Sequence, residues 1–290
     1  MLDSSPGSAP SAPIEVLDRR ASPAPARSRF LLPLCAALAL QLAAAAQPPA
    51  SPVLDRVRST GVVRVCIWPD YYSITYRNPR TGQLSGIDID LALELGNALG
   101  ATISFVDSSF ARLIDDLLED RCDVAMFAIG ITPARTSQLR FTRPHLASDI
   151  YAIASRTNRR VQEWADIDRK GSVVAVAKGT LHEPIMKQRL QHARLMVLDT
   201  PFAREQEVQA GRADVFMTDF PYSQRFLAGA EWARLLTPPV PYHITPYAYA
   251  VKPADEAWLA QLDRFVDAIK KDGRLQAAAR RHGLEPIVAQ

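Results

Sequence analysis

The chain has 290 residues, of which 48% are hydrophobic and 22% are charged. It is long enough to bury the core of one large domain or of two ordinary ones. The net charge is only +3, and no basic stripe with interleaved aromatic residues is present, which excludes nucleic acid as a natural partner. The histidines show no metal-ligand spacing and there is no CxxC motif, so we expect neither a metal nor another cofactor.

The first 46 residues are predicted to be a leader and signal peptide. Residues 1–26 are rich in proline, serine and alanine and are not expected to fold. Arg27 and Arg29 precede an apolar run at 30–46 that ends in alanines, the pattern of a cleaved secretory signal. The alternative is an uncleaved membrane anchor, but the run is slightly short for a span. We therefore expect the chain to be exported.

Two cysteines, Cys66 and Cys122, follow this leader. An oxidising compartment would permit a disulfide between them. However, each lies at or beside a predicted buried strand, where cysteine often serves as a small hydrophobic residue. We therefore expect the two thiols to be unpaired.

Strands and helices alternate after the leader. A brief helical turn at 54–58 and a strand at 62–67 come first, and then an irregular loop at 68–72. A helix ending at Gly100, a strand at 103–106, a helix at 110–120 and a strand at 122–129 follow. The leucines expected to face the core are Leu91, Leu95, Leu99, Leu113, Leu117 and Leu118. This alternation predicts a parallel α/β sheet with ligands beyond the carboxyl ends of its strands.

The same alternation repeats in the second half of the chain. The predicted strands are 151–155, 172–176, 195–198, 213–217 and 247–251, and the predicted helices are 180–190, 203–210, 222–227, 256–271 and 274–282. Two such sets, joined near 148–152 and 246–250, predict two lobes with two crossings between them. We expect residues 53–148 with 249–290 in the first lobe and residues 149–248 in the second.

One arginine in the middle of the chain is poorly explained by local structure. Thr132 and Pro133 suit the N-cap and the first position of a helix, which places Arg135 in its first turn. A cation there opposes the helix dipole. A bound anion would explain it, because the planar guanidinium suits bidentate recognition. The alternative is a solvated surface arginine.

The region around Arg135 resembles the family 3 solute-binding proteins, the periplasmic amino-acid receptors of ABC importers. The matching residues are Asp123, Ile131, Thr132, Arg135, Phe141, Thr142 and Pro144, with His145 in place of the usual tyrosine. This resemblance implies an α/β fold of the type II periplasmic-binding-protein clamshell, in which each lobe is a mainly parallel sheet flanked by helices. It also implies a periplasmic location, an ABC permease in the inner membrane as partner, and a monomer. Arg135 would hold the ligand's α-carboxylate.

Further motifs assign ligand contacts by the same resemblance. The segment 211–219 places Asp219 where the family binds the α-ammonium group, Thr180 lies at a helix start that meets the carboxylate, and Tyr71 would stack on the ligand. A zwitterion between lobes needs one fixed cation and one fixed anion, because an unpaired buried charge is costly. The alternatives are a helix cap for Asp219 and ordinary packing for Tyr71.

The chain departs from the family pattern in the pocket. Phe127, Ala128 and Gly130 stand where many members carry hydroxyl groups, and Trp68 stands where receptors for basic amino acids often place an acid. These departures predict a more apolar pocket and disfavour a lysine, arginine or histidine ligand. The predicted ligand-binding residues are Arg135, Asp219, Thr180, Tyr71, Trp68, Phe127 and Gly130.

The segments 63–79 and 121–123 also resemble cyclohexadienyl dehydratases, periplasmic enzymes of the same fold that decarboxylate and dehydrate prephenate or arogenate. Such a reaction needs a general acid near the leaving hydroxyl. The candidate acids are His182, Glu183, Glu205, Glu207 and Tyr222. None is singled out by the sequence, and Glu205 and Glu207 are expected on a solvated helix face. We therefore favour a receptor without a catalytic residue over the enzyme, and a ligand sensor for a membrane receptor is a third interpretation.

Overall fold

The computed structural model of the protein describes residues 50–200 and 202–289. The predicted leader and signal peptide lie outside the described residues. Among the helices of the described ranges, none is long and apolar enough to cross a membrane.

The helices and strands alternate over most of the described chain. The helices are α1 (Pro52–Thr60), α2 (Ile87–Leu99), α3 (Leu113–Leu118), α4 (Pro133–Thr136), α5 (His182–Arg189), α6 (Ala203–Gln209), α7 (Phe220–Leu227), α8 (Glu256–Lys271) and α9 (Arg274–Arg281). The strands are β1 (Val62–Ile67), β2 (Asp70–Tyr71), β3 (Thr75–Arg77), β4 (Leu84–Ser85), β5 (Thr102–Asp107), β6 (Val124–Gly130), β7 (Arg140–Phe141), β8 (Leu146–Ser148), β9 (Ile150–Ser155), β10 (Val173–Ala177), β11 (Arg194–Leu198), β12 (Val215–Asp219), β13 (Ala233–Leu236) and β14 (Thr245–Val251). Short 3₁₀ turns lie at Trp164–Asp166 and Glu285–Ile287.

Two mixed sheets organise these elements, and each is the centre of one lobe. The first sheet has the order β5-β1-β6-β14-β7, with β8 also paired to β14; β5, β1 and β6 are parallel and β14 is antiparallel to β6. The second has the order β11-β10-β12-β9-β13, in which β11, β10 and β12 are parallel and β9 is antiparallel to β12. The expected α/β architecture is confirmed. A third, antiparallel sheet, β2-β3-β4, replaces the irregular loop predicted at 68–72.

The chain passes from the first sheet to the second between β8 and β9, and returns between β13 and β14. Asp149 lies at the first passage, and its carboxylate accepts the backbone N–H groups of Tyr242 at 2.8 Å and His243 at 2.6 Å. Since Tyr242 and His243 lie on the second passage, this side chain ties the two connections together.

The core follows the predicted leucine pattern with one exception. Leu91, Leu95, Leu113 and Leu117 are buried and Leu99 is half-buried against the core, but Leu118 is 45% exposed. The prediction for Leu118 is wrong because consecutive helical residues point about 100° apart. Helix α3 has only six residues and buries Leu113 and Leu117, so the next residue, Leu118, points toward solvent.

The two cysteines form a disulfide, so the prediction of unpaired thiols is wrong. Cys66 lies in β1 and Cys122 lies just before β6, and the Cα atoms are 5.6 Å apart. The strands β1 and β6 are neighbours in the first sheet, with Cys66 in register with Ala125. This adjacency brings the thiols within bonding geometry, and it could not be inferred from each strand taken separately.

Candidate ligand-binding site

Two adjoining cavities lie between the lobes, at the carboxyl ends of parallel strands. The outer cavity has a volume of about 300 Å³ and the inner cavity one of about 20 Å³. The residues that line both cavities are Trp68, Phe110, Thr180, Arg204 and Tyr222. Trp68 follows β1, Phe110 follows β5 and Thr180 follows β10. Open α/β sheets bind ligands at this edge.

Arg135 lies on α4 and is buried, with 6% of its surface exposed. As predicted, Thr132 caps the helix and Pro133 begins it. The guanidinium donates through Nη1 to the carbonyl of Gly130 and through Nη2 to the carbonyl of Gly179, both at 2.9 Å. Within the described part of the chain, no carboxylate lies within 4.0 Å of it. Burial lowers the pKa of Arg135 to about 10, so the group stays charged at neutral pH without a counter-ion.

Asp219 is a buried acid of the second lobe, at the end of β12. It is 3% exposed and caps α7 by accepting the backbone N–H of Tyr222 at 3.1 Å. Its carboxylate also accepts the hydroxyl groups of Tyr71 and, at 2.9 Å, of Tyr247. In residues 50–200 and 202–289, no lysine, arginine or histidine nitrogen lies within 4.0 Å of it. Burial raises the pKa of Asp219 because the ionised form is desolvated.

The same contacts hold the lobes against each other. Tyr71 of the first lobe meets Asp219 of the second, and Arg135 of the first lobe meets the backbone of Gly179 in the second. Gly179 has a φ of +75°, and a Cβ atom there would lie 2.6 Å from the backbone nitrogen of Ala111 in the first lobe. The lobes can approach this closely only because residue 179 has no side chain.

Thr180 lines both cavities, but its hydroxyl is used locally. Oγ1 donates to the carbonyl of Ala177 at 2.7 Å, within the turn between β10 and α5. The helix begins at His182, so Thr180 does not open it as predicted. The hydroxyl can still accept a hydrogen bond from a ligand.

The aromatic residues form a cluster at the first-lobe wall. Trp68 lies 5.4 Å from Tyr71 and 5.3 Å from Phe110, measured between ring centroids. Trp68 lines both cavities and Tyr71 lines the inner one. Phe127 is fully buried behind Phe110 at 5.0 Å and lines neither cavity.

Gly130 also lines neither cavity, and its neighbours explain why a hydroxyl residue is absent. A Cβ atom at this position would lie 2.8 Å from Cδ2 of Leu181 and 3.0 Å from Cγ2 of Thr245. The side chain of Leu181 therefore occupies the space that a serine would need at Gly130.

Arg204 and Glu205 form a buried ion pair in the second-lobe wall that the sequence pattern does not predict. They are 5% and 6% exposed, and Nε of Arg204 donates to Oε1 of Glu205 at 2.6 Å. Arg204 also donates to the carbonyl of Met217 and lies 4.5 Å above the ring of Tyr222. The expected solvated face is wrong for Glu205, whereas Glu207 is paired with Arg212 toward solvent. Helix α6 is too short and polar for its pattern to show which face is buried.

The other candidate acids differ in their access to the cavities. His182 lines the inner cavity, is 5% exposed, and neither ring nitrogen has a hydrogen-bond partner in the described chain. Burial and then the charge of Arg204 lower the pKa of His182 to about 3, so the ring is neutral. Burial raises the pKa of Tyr222 well above its usual value. Glu183 lies outside both cavities and accepts the backbone N–H of Gly179 at 2.9 Å.

Asp88, in the first turn of α2, has a structural role. Asp88 is fully buried and accepts the backbone N–H of Ala128 at 2.8 Å and the hydroxyl of Tyr249 at 3.2 Å. His145, which replaces the family tyrosine, contacts the same carboxylate at 3.2 Å. Ala128 has a φ of 48°, a left-handed conformation that is costly for a residue with a Cβ atom.

Comparison with known proteins decides the family. The sequence profile of the bacterial extracellular solute-binding proteins, family 3, matches residues 63–285. The chain belongs to this family. It is 30% identical to the cyclohexadienyl dehydratase of Pseudomonas aeruginosa over 87% of this chain and 93% of that enzyme. It is 27% identical to the ABC transporter arginine-binding protein 1 of Escherichia coli over 72% of this chain and 84% of that protein.

The similarity extends to solved structures of this solute-binding family. The crystal structure of an ancestral amino acid-binding protein, described as a precursor of cyclohexadienyl dehydratase, matches with a TM-score of 0.71 and 27% identity. The match covers 80% of this chain and 99% of that protein. The two-lobed clamshell expected from the sequence is therefore confirmed.

Proposed function

We propose that this family 3 protein is a periplasmic receptor of an ABC importer that binds a small amino acid or related carboxylate between its lobes. The observation that carries the proposal is the pair of unmatched buried charges, Arg135 in the first lobe and Asp219 in the second. Each has only neutral hydrogen-bond partners among the described residues. A buried charge without a counter-ion is costly, and a zwitterionic ligand would supply both counter-ions.

In this proposal the ligand exchanges with contacts inside the protein. Its carboxylate replaces the carbonyl groups that Arg135 now meets, and its ammonium group replaces the Tyr71 hydroxyl on Asp219. Trp68 and Thr180 would form the adjacent walls, while Phe127 and Gly130 would shape the site from behind. Closure would be a hinge motion at 148–152 and 246–250, with residues 149–248 moving as the second lobe.

The relatives support an amino acid as the ligand class, since they include an arginine-binding and a histidine-binding protein of Escherichia coli. The receptor would lose its first 46 residues on export, act as a monomer and deliver its ligand to an inner-membrane permease.

A thermal-shift screen followed by calorimetry tests the proposal. The chain without residues 1–46 would be mixed with the standard amino acids, small carboxylates and prephenate. A ligand at a hundred times its Kd adds about 2.7 kcal/mol of stability. Arg135→Ala and Asp219→Asn should each abolish the shift, whereas Arg143→Ala, which removes an exposed arginine paired with Asp267, should not. Unchanged binding in Arg135→Ala and Asp219→Asn would contradict the proposal.

A dehydratase is the second candidate, because the match to the Pseudomonas aeruginosa enzyme covers nearly all of that protein. The structure brings His182, Glu205 and Tyr222 to the cavity walls, and Oε2 of Glu205 has no partner in the described chain. Loss of prephenate with formation of phenylpyruvate would establish the enzyme. An amino acid that binds and is recovered unchanged, with prephenate stable, would establish the receptor.

A further inference from the structure

The wall of the inner cavity contains two polar side chains, His182 and Thr218, that the contacts described so far leave unused. Both ring nitrogens of His182 and Oγ1 of Thr218 are buried and have no hydrogen-bond partner in the described part of the chain. His182 is 5% exposed and Thr218 is 1% exposed. Buried polar side chains are nearly always satisfied, so two exceptions in the wall of one cavity indicate a group that a ligand brings.

Other polar side chains in the same wall are bonded to one another. The hydroxyl groups of Tyr71 and Tyr247 both donate to Asp219, and Arg204 donates to Glu205 at 2.6 Å. Asp219 remains the anchor proposed above for the ammonium group of the ligand. The two unpartnered side chains are therefore available for a further part of the ligand.

The space between His182 and Thr218 suits a group without charge. Burial lowers the pKa of His182 to about 3, the charge of Arg204 acts in the same direction, and the backbone carbonyl of Thr218 acts against it. The ring is therefore uncharged and lies beside Thr218. The positive charges of Arg204 and Arg135 both act on the ring and disfavour a second cation there. An anion would be repelled by Asp219 in the same wall.

The size of the inner cavity restricts the group further. Its volume of about 20 Å³ holds one water-sized group, since a single water needs about 10–15 Å³ of such space. A carboxamide has three non-hydrogen atoms and is too large, whereas a hydroxyl group has one. A hydroxyl group also donates and accepts at once, which matches an imidazole nitrogen as acceptor and a threonine hydroxyl as donor.

We propose that His182 and Thr218 form a subsite for a hydroxyl group of the ligand, so that the receptor selects hydroxylated amino acids. The hydroxyl group would donate to a ring nitrogen of His182 and accept from Oγ1 of Thr218. It would lie on the β or γ carbon, because Asp219 in the same wall holds the ammonium group. The remainder of the side chain would extend into the outer cavity of about 300 Å³. This inference rests on the proposed receptor function and specifies its ligand class.

Pairs of ligands with the same shape isolate the contribution of the hydroxyl group. Calorimetry would compare threonine with valine, serine with 2-aminobutyrate, and homoserine with norvaline, in which a methyl group replaces the hydroxyl group. The parent chain should prefer the hydroxylated member of at least one pair at least tenfold. The reason is that a methyl group would leave the buried polar side chains of the subsite unpaired.

Variants of the subsite test whether these two residues cause the preference. Thr218→Val and His182→Leu should each reduce it about tenfold, which corresponds to about 1.4 kcal/mol. Thr245→Val is the matched control, because Thr245 is 2% exposed and lines neither cavity, and it should leave the preference unchanged. A defect in folding or in lobe closure would weaken both members of a pair alike, so the ratio of their affinities reports on the subsite.

A crystal structure of the complex distinguishes a hydroxyl group of the ligand from a water molecule. A ligand oxygen within about 3.2 Å of both His182 and Oγ1 of Thr218 would support the inference. A water molecule there beside a bound ligand, equal affinities within every pair, binding only of amino acids without a hydroxyl group, or a preference that survives both substitutions would overturn it and leave the receptor standing. Absence of binding by any amino acid would overturn the receptor, and the hydroxyl subsite with it.

Discussion

Gly179→Ala should block the closed arrangement of the lobes. The added Cβ atom would lie 2.6 Å from the backbone nitrogen and 2.7 Å from Cα of Ala111, in the opposite lobe. Backbone atoms cannot rotate away as a side chain would. Relief to an ordinary contact of 3.4 Å requires the lobes to separate by about 0.8 Å, which is the difference between 3.4 and 2.6 Å.

The substitution Gly179→Ala has two free-energy costs. One applies to any alanine with this backbone conformation, and the other applies only when the lobes close. A φ of +75° costs alanine about 1–2 kcal/mol in any lobe arrangement. Closure onto a ligand must also relieve the overlap between the added Cβ atom and the backbone of Ala111, which costs about 1–3 kcal/mol. This second cost acts only on closure, so the affinity for the ligand should fall about 10- to 100-fold.

Gly211→Ala is the matched control. Its φ of +73° imposes the same backbone cost, but nothing lies within 4 Å of its Cβ position. Small-angle scattering should show a larger radius of gyration for Gly179→Ala than for the parent or Gly211→Ala, and calorimetry should show the affinity loss only for Gly179→Ala. Parent-like scattering and binding in Gly179→Ala would refute the close lobe contact.

Three further predictions concern stability. Asp219→Asn should raise the free energy of unfolding of the ligand-free protein by about 0.5–2 kcal/mol at neutral pH, because it removes an unpaired buried charge and keeps the α7 cap. Since the folded pKa of Asp219 is raised, its stabilising contribution is complete below the unfolded pKa and is lost as pH rises through the folded value. The advantage of the variant in urea unfolding should therefore shrink at acidic pH. Ala128→Gly should add about 1 kcal/mol by relieving the left-handed φ of 48°, measured as a higher urea midpoint; a lower midpoint would contradict that reason. Replacing Cys66 and Cys122 by alanine should cost about 4 kcal/mol for a loop of 56 residues, and the same loss should follow reduction of the parent by dithiothreitol.

Most of the element order could be predicted because it depends on local pattern. The strand at 62–67 was predicted with the bounds that β1 has, and Gly100 ends α2 in a left-handed conformation. The caps of α4 and the charges at Arg135 and Asp219 follow from short motifs that need no knowledge of distant residues. These features can therefore be predicted from the sequence alone.

The features that could not be predicted depend on neighbours brought together by the fold. The disulfide follows from strand order, and the absence of a side chain at Gly130 follows from the position of Leu181. The burial of Arg204 and Glu205 has the same origin, because α6 turns its first residues inward after Phe202, which has a left-handed φ of 59°. Nothing in the polar sequence of α6 indicates that turn.

The disulfide also bears on when the protein becomes stable. Cys66 and Cys122 join two central strands of the first sheet, and such a bond persists only in an oxidising compartment. In a chain exported as proposed, the cytoplasmic precursor would lack this constraint and would more readily stay in the unfolded state that translocation needs. Oxidation of the two cysteines after the chain has crossed the membrane would then stabilise the folded state. Folding would therefore be completed only after secretion.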